Sequence, residues 1–227
     1  VPGGRDHRHG LRTGTDTGGL TGRAPPPPRT TGAAAPARTV VARYASRVTE
    51  HPGTREKPFL YVVVCAAGIA AGVSKLITAA QERDWEVGVI ATPAAMNGFF
   101  DSAAVAAQTG RVVRSAWRSP ADPRPFPPPD AVVVAPATFN TVNKWAAGIA
   151  DTLALGTLCE AAGLGVPVAV LPCVAGALAA HPAYRDSLAR LRGMGVRFGD
   201  PYSGEPGPDG SRPEFAWTMA LDLLERP

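Results

Sequence analysis

Ala131-Val132-Val133-Val134-Ala135-Pro136-Ala137-Thr138-Phe139-Asn140-Thr141 is the stretch from which the fold reads outward. A continuous apolar run stops at a proline, and small and hydroxyl residues then lead to an asparagine. Val142 to Ala150 read as a helix. A run with no polar alternation suits a strand buried on both faces. A buried strand that enters a tight turn and opens a helix gathers backbone N–H groups and an amide side chain at one point. Such a point can hold a planar or anionic ligand, which a core alone does not require.

The same pattern repeats on either side. Phe59 to Cys65 is a Val-rich run, Ala66-Ala67-Gly68 a small-residue turn, and Ala70 to Arg83 a helix. Glu86 to Ala91 reads as the second strand, broken by Thr92-Pro93, and Asp101 as the N-cap of a helix through Gln108. Val112 and Val113 mark a short third strand, and Ser119 to Pro129 a proline-rich loop. After Asn140, Asp151 or Thr152 caps a helix to about Ala162, which Gly163-Leu164-Gly165 ends. Val166 to Leu171 is a buried strand stopped by Pro172, and Pro182 starts a helix to about Met194. Val196 to Phe198 is a last short strand, and Glu214 to Leu224 a terminal amphipathic helix.

Strands alternating with helices predict an α/β fold, a Rossmann-like doubly wound parallel sheet with helices on both faces. In such sheets ligands sit beyond the carboxyl ends of the strands, near the point where strand order reverses. Four turns fall at that edge: Ala66–Ala71, Thr92–Asn97, Pro136–Thr141 and Pro172–Ala175. All four are rich in small residues.

The chain has 227 residues, is 45% hydrophobic and carries a net charge of +4. Residues 1–57 hold ten Lys/Arg against four acids, +6, which leaves −2 for residues 58–227. The basic character thus belongs to the N-terminal stretch, and the folded part is not expected to bind nucleic acid. Residues 1–57 are Gly/Pro-rich, include Pro25-Pro26-Pro27-Pro28, and are expected to be a disordered extension, with a short helix over Val40–Val48. Residues 58–227 are expected to be the ligand-binding domain. No apolar run reaches the ~18 residues of a membrane span, and no secretory signal is evident, so a cytoplasmic protein without membrane contact is expected. Cys65, Cys159 and Cys173 have no metal-ligand spacing and read as buried free thiols; no metal is expected.

No GxGxxG, GxxxxGK[ST] or GxSxG is present. Pro136-Ala137-Thr138-Phe139-Asn140-Thr141, followed by Asn143-Lys144 and Gly148-Ile149-Ala150-Asp151, instead resembles the PASANT motif and its following helix. That motif belongs to the family of flavin-containing cysteine decarboxylases, among them phosphopantothenoylcysteine decarboxylase and the lantibiotic peptide decarboxylases. The resemblance runs from Phe59 to Leu224, including Gly68, Thr92-Pro93 and Pro172 to Tyr184.

The resemblance implies an FMN-binding flavoprotein, an oxidoreductase and decarboxylase acting on a cysteine thiol of a small molecule or peptide C-terminus. It implies a homotrimer or higher homo-oligomer with FMN at the interface. The flavin contacts it implies are Gly68, Ile69, Ala70, Thr92, Thr138, Phe139, Asn140, Thr141 and Cys173, with Asn140 also catalytic in orienting the substrate carboxylate. Three positions depart from the family pattern. The segment Trp117 to Pro125 has no histidine base, although Asp122, Arg118 or the more distant His181 could take that place. The PxMNxxMW segment reads Pro172-Cys173-Val174-Ala175-Gly176-Ala177-Leu178-Ala179, without its asparagine. The loop Gly199–Pro213 has no cysteine, which disfavours the coenzyme A pathway reaction. Two other readings are a flavin-binding regulatory or assembly subunit without decarboxylase activity, and a flavin prenyltransferase.

Overall fold

The computed structural model describes residues 56–204 and 213–225. The expected disorder of residues 1–57 and the helix over Val40–Val48 lie outside the described residues, apart from Glu56 and Lys57. Lys57 pairs with Asp84 at 2.9 Å. Among the described residues five parallel strands form one sheet: β1 (Phe59–Val64), β2 (Glu86–Ala91), β3 (Ala131–Ala137), β4 (Val168–Pro172) and β5 (Arg197–Phe198). Their spatial order is β2-β1-β3-β4-β5. The order reverses between β1 and β3, so the crevice beyond their carboxyl ends is the place a ligand would use.

Period-two alternation splits each strand between two cores. Leu60, Val62 and Val64 of β1 join Ala131, Val133 and Ala135 of β3 and Ala169 and Leu171 of β4 on one face. Phe59 and Val63 join Val132, Val134, Val168 and Val170 on the other. Helices cover both faces, as expected. On the first lie α1 (Val73–Glu82), α2 (Ser102–Thr109) and, from the C-terminal end, α7 (Met219–Glu225). On the second lie α3 (Phe139–Ala146), α4 (Leu153–Leu164) and α6 (Pro182–Gly193), with the short α5 (Gly176–Ala179) before α6.

The caps follow their chemistry. Asp101 accepts from the N–H groups of Ala103 and Ala104 at the start of α2. Thr152, rather than Asp151, caps α4 by accepting from Leu155. Gly165 ends α4 at φ +72°, a conformation that favours glycine.

Four expectations are corrected. β3 runs through Pro136 to Ala137 instead of stopping at the proline. Pro136 lacks an N–H, but its carbonyl still accepts from Cys65 N–H at 3.2 Å, and the pairing with β4 shifts register between Val134 and Ala137. Ala137 thereby joins the same face as Val132 and Val134. The following helix starts at Phe139, not Val142, which puts Asn140 in its first turn. Val112 and Val113 form no strand; Arg114 makes only an isolated bridge to Ile90 at the sheet edge. The terminal helix likewise begins at Met219, five residues later than Glu214.

From Arg114 the chain returns to β3 with no helix. Residues 115–130 contain six prolines, which cannot donate to a helical ladder, and they cross the second face as a loop. Two aromatics pin that loop. Phe126 is 6% exposed and stacks near Phe59 and Tyr61. A Cβ on Gly88 of β2 would come 2.9 Å from its ring, so only glycine leaves it room. Trp117 enters a notch on α4 at Gly156, where a Cβ would lie 2.3 Å from the indole.

Candidate functional site

The four small-residue turns lie side by side because backbone hydrogen bonds link one strand end to the next. Thr92 N–H donates to Val64 C=O at 2.9 Å, joining the β2 turn to β1. Cys65 N–H donates to Pro136 C=O, joining β1 to β3. Cys173 N–H donates to Ala137 C=O at 2.8 Å, joining the β4 turn to β3. Gly68, Ile69 and Ala70 follow in the β1 turn, where the chain enters a 3₁₀ turn at Ala70–Gly72. The residues expected to contact the flavin therefore stand along one edge, centred on the β1/β3 crevice.

Polar groups converge at the start of α3. Thr138 occupies the N-cap position in an extended conformation, yet its side chain caps no N–H of the helix. Its hydroxyl instead lies 3.1 Å from that of Thr141, which is 6% exposed. The first-turn N–H groups of α3 thus keep their partial positive charge without a side-chain acceptor. Asn140 projects from this turn as an exposed residue. Phe139 is half-buried, stacked on Tyr184 at 5.7 Å and edge-on to His181 at 5.9 Å, which fixes the first turn of α3 against α6.

Beneath the two threonines sits Cys65, fully buried. Burial pushes its thiol pKa up, and hydrogen bonding to Thr141 and Thr138 only partly opposes this. It is a structural thiol, not a nucleophile. Cys159 and Cys173 are free but only half-buried, against the expectation that all three would be buried. Cys173 Sγ lies 3.5 Å from Tyr202 Oη, which brings the late loop to the β4 turn.

The donor set fits a phosphate such as a flavin's, held without a basic side chain. The four turns contain no Lys or Arg, so any anion would be held by N–H and hydroxyl groups. The Thr92 hydroxyl accepts from Ala95 N–H and keeps its own proton to donate. A Cβ on Gly68 would meet nothing within 4 Å, so that turn opens onto free space.

Other sequence candidates are placed elsewhere. Asp122 accepts from Ser119 N–H at 3.0 Å, and Arg118 donates to the carbonyls of Ser119, Pro120 and Asp122. Both are tied into their own loop. His181 caps α6 by accepting from Ala183 N–H through Nδ1 at 3.1 Å. Nδ1 is thereby engaged with the backbone, which leaves Nε2 as the ring atom that can meet a ligand. A cavity of about 480 Å³ beneath the proline-rich loop was not legible in the sequence, and none of the expected flavin contacts lines it. Among the described residues no helix is long and apolar enough to cross a membrane.

The sequence profile of the Flavoprotein family matches residues 48–209. A cysteine/cysteine sulfinic acid decarboxylase from an unknown prokaryotic organism is 40% identical over 76 residues, 34% of this chain and 20% of that protein. The coenzyme A biosynthesis bifunctional protein CoaBC of Thermococcus kodakarensis is 35% identical over 72 residues, 32% of this chain and 18% of that protein. The matched segment thus spans about a fifth of either relative's length. Among solved structures, a PPC decarboxylase variant complexed with pantothenoylaminoethenethiol superposes with a TM-score of 0.59 at 19% identity, over 75% of this chain and 100% of that one. The FMN-dependent cysteine decarboxylase SpaF gives 0.56 at 23% identity, over 75% and 97%. These two likenesses show the shared fold.

Proposed function

Because the chain belongs to the Flavoprotein family, we propose that it binds FMN along the four-turn edge and decarboxylates a cysteine-type thiol substrate. The carrying observation is the edge itself, where three backbone hydrogen bonds align the turns beside the uncapped start of α3. The Thr92 hydroxyl and the N–H groups of the Gly68–Ala70 turn would hold the phosphate. The α3 first turn, with Thr138, Phe139, Asn140 and Thr141, and the β4 turn at Cys173 would flank the ring. A bound flavin would supply a two-electron acceptor for the thiol-bearing carbon, after which carbon dioxide leaves and an enethiol remains.

The chain's own residues do the rest. The Asn140 carboxamide is exposed at the first turn and can donate to a substrate carboxylate. The helix start favours that negative charge. His181 Nε2, next to Phe139, would offer a second hydrogen-bonding group at the start of α6. The substrate thiol must pass its proton to solvent or to a group supplied by another copy of the chain, since Asp122 is held in its own loop. We place this chemistry in a homo-oligomer with FMN at the interface between copies.

The test is direct. Purified protein should show flavin absorbance at roughly 370 and 450 nm, and peptides ending in Cys should lose roughly 46 Da, one CO2 and two hydrogens. A protein that neither carries nor takes up FMN would refute the cofactor assignment. Loss of the asparagine at Ala175 supports a second reading, a flavin-binding subunit without decarboxylase activity. FMN binding with no mass change on any Cys-ended peptide would select it.

A further inference from the structure

The proline-rich crossing leaves space that a helix would have filled. Between it, the β1–β2 face of the sheet and α4 lies the cavity of about 480 Å³, within the size range of small-molecule sites. Its apolar walls include Tyr61, Phe126 and Trp117. Phe126 is buried against Gly88, whereas Trp117 sets one edge of its indole in the notch at Gly156 and leaves 60% of its surface exposed, open to a ligand. A glycine inside a helix costs about 1 kcal/mol relative to alanine, and at Gly156 the missing Cβ is what admits the indole.

The charge on the lining is one-sided. Arg114, Arg118 and Arg124 all border the cavity, against one carboxylate, Glu160. Arg114 donates to Ala116 C=O and Arg118 to three loop carbonyls. Carbonyls hold these side chains in place without neutralising them. Arg124 makes no ion pair or hydrogen bond with the described residues. Three arginines and three aromatic side chains on one cavity lining suit a flat apolar body that carries an anion. A guanidinium also stacks on a ring face, which favours an aromatic body over an aliphatic one.

We infer that this cavity is a second binding site, separate from the four-turn edge, for a small aromatic carboxylate or aryl phosphate. It depends on the loop, the two glycines and the arginines, not on the flavin reading. Its ligand would enter with the ring between Trp117 and Phe126 and the anion toward Arg118 and Arg124.

Calorimetric titration of the full chain, saturated with FMN, tests this with 2-naphthoate, naphthyl phosphate and neutral 2-naphthamide. The expected result is saturable binding of one anion per chain, at least about tenfold tighter than the amide. Arg124→Gln, at an exposed unpaired position, should weaken the anion by about tenfold and leave the amide unchanged. Trp117→Ala should weaken both. A preference for naphthyl phosphate or for naphthoate distinguishes the two ligand sources. No saturable binding, equal affinity for anion and amide, indifference to Arg124→Gln, or displacement by FMN from flavin-free protein would each overturn the inference.

Discussion

Asn140 shows what one residue can and cannot carry. As the second residue of α3 it lies where a negative charge is favoured by the helix end, by about 0.3–1 kcal/mol. Asn140→Asp should therefore leave the unfolding midpoint unchanged or slightly raised. It should nonetheless cut turnover of Cys-ended peptides by at least about tenfold, because a carboxylate there repels the substrate's own and removes a donor. Differential scanning fluorimetry beside a mass-spectrometric rate assay separates the two effects. Equal loss of stability and activity would mean that Asn140 is structural.

Cys65 makes a different statement at the same scale. Burial raises its pKa, so the folded protein holds this proton more tightly than the unfolded chain does. The native state binds more protons between the two values, and stability falls as pH rises through that window. The contribution is complete below the ordinary thiol value of 9.0 and is lost as pH climbs through the raised folded value. The slope is at most about 1.4 kcal/mol per pH unit for one proton. Urea unfolding from pH 7 to 11 should show wild type losing stability faster than Cys65→Ala above pH 9. Parallel curves would remove Cys65 from the account.

Among the elements, caps and alternation were legible because their causes are local. Asp101, Thr152, Gly165 and Pro182 act on the few residues beside them. Asp101→Ala should cost about 1 kcal/mol by removing two hydrogen bonds at the start of α2, measured by urea denaturation. The errors have non-local causes. Pro136 breaks most strands, but here the carbonyl still pairs with Cys65 and the register to β4 shifts around it. Val112-Val113 has strand-like residues, yet the sheet edge accepts only Arg114. Gly88 of β2 is the position against which Phe126 packs. Gly88→Val should cost about 1–3 kcal/mol by overpacking and loosen the proline-rich loop, visible as faster proteolysis within residues 115–129. Proteolysis unchanged from wild type would show that Phe126 does not hold the loop.

At the scale of the molecule, the carboxyl edge exposes large apolar side chains. Met96 and Phe99, in the loop after β2, are each 37% exposed, and Leu178 after β4 is 45% exposed. Apolar side chains beside a proposed cofactor edge are consistent with an interface between copies. Sedimentation equilibrium should give a multiple of the chain mass, and Phe99→Asp should raise the monomer fraction and weaken FMN binding together. A monomeric wild type that binds FMN tightly would remove the interface from the proposal.

The sequence by itself determined the alternating elements, the parallel α/β class and the four small-residue turns, because hydrophobic period and capping chemistry act over a few residues. The PATFNT stretch marked the centre of the candidate site for the same reason. Only the tertiary structure decided that α3 begins at Phe139, that Cys65 lies under Thr138 and Thr141, and that His181 caps α6 through Nδ1. It alone revealed the cavity under the proline-rich loop, since that space exists only where a helix-less crossing, α4 and two glycines far apart in sequence meet over one sheet face.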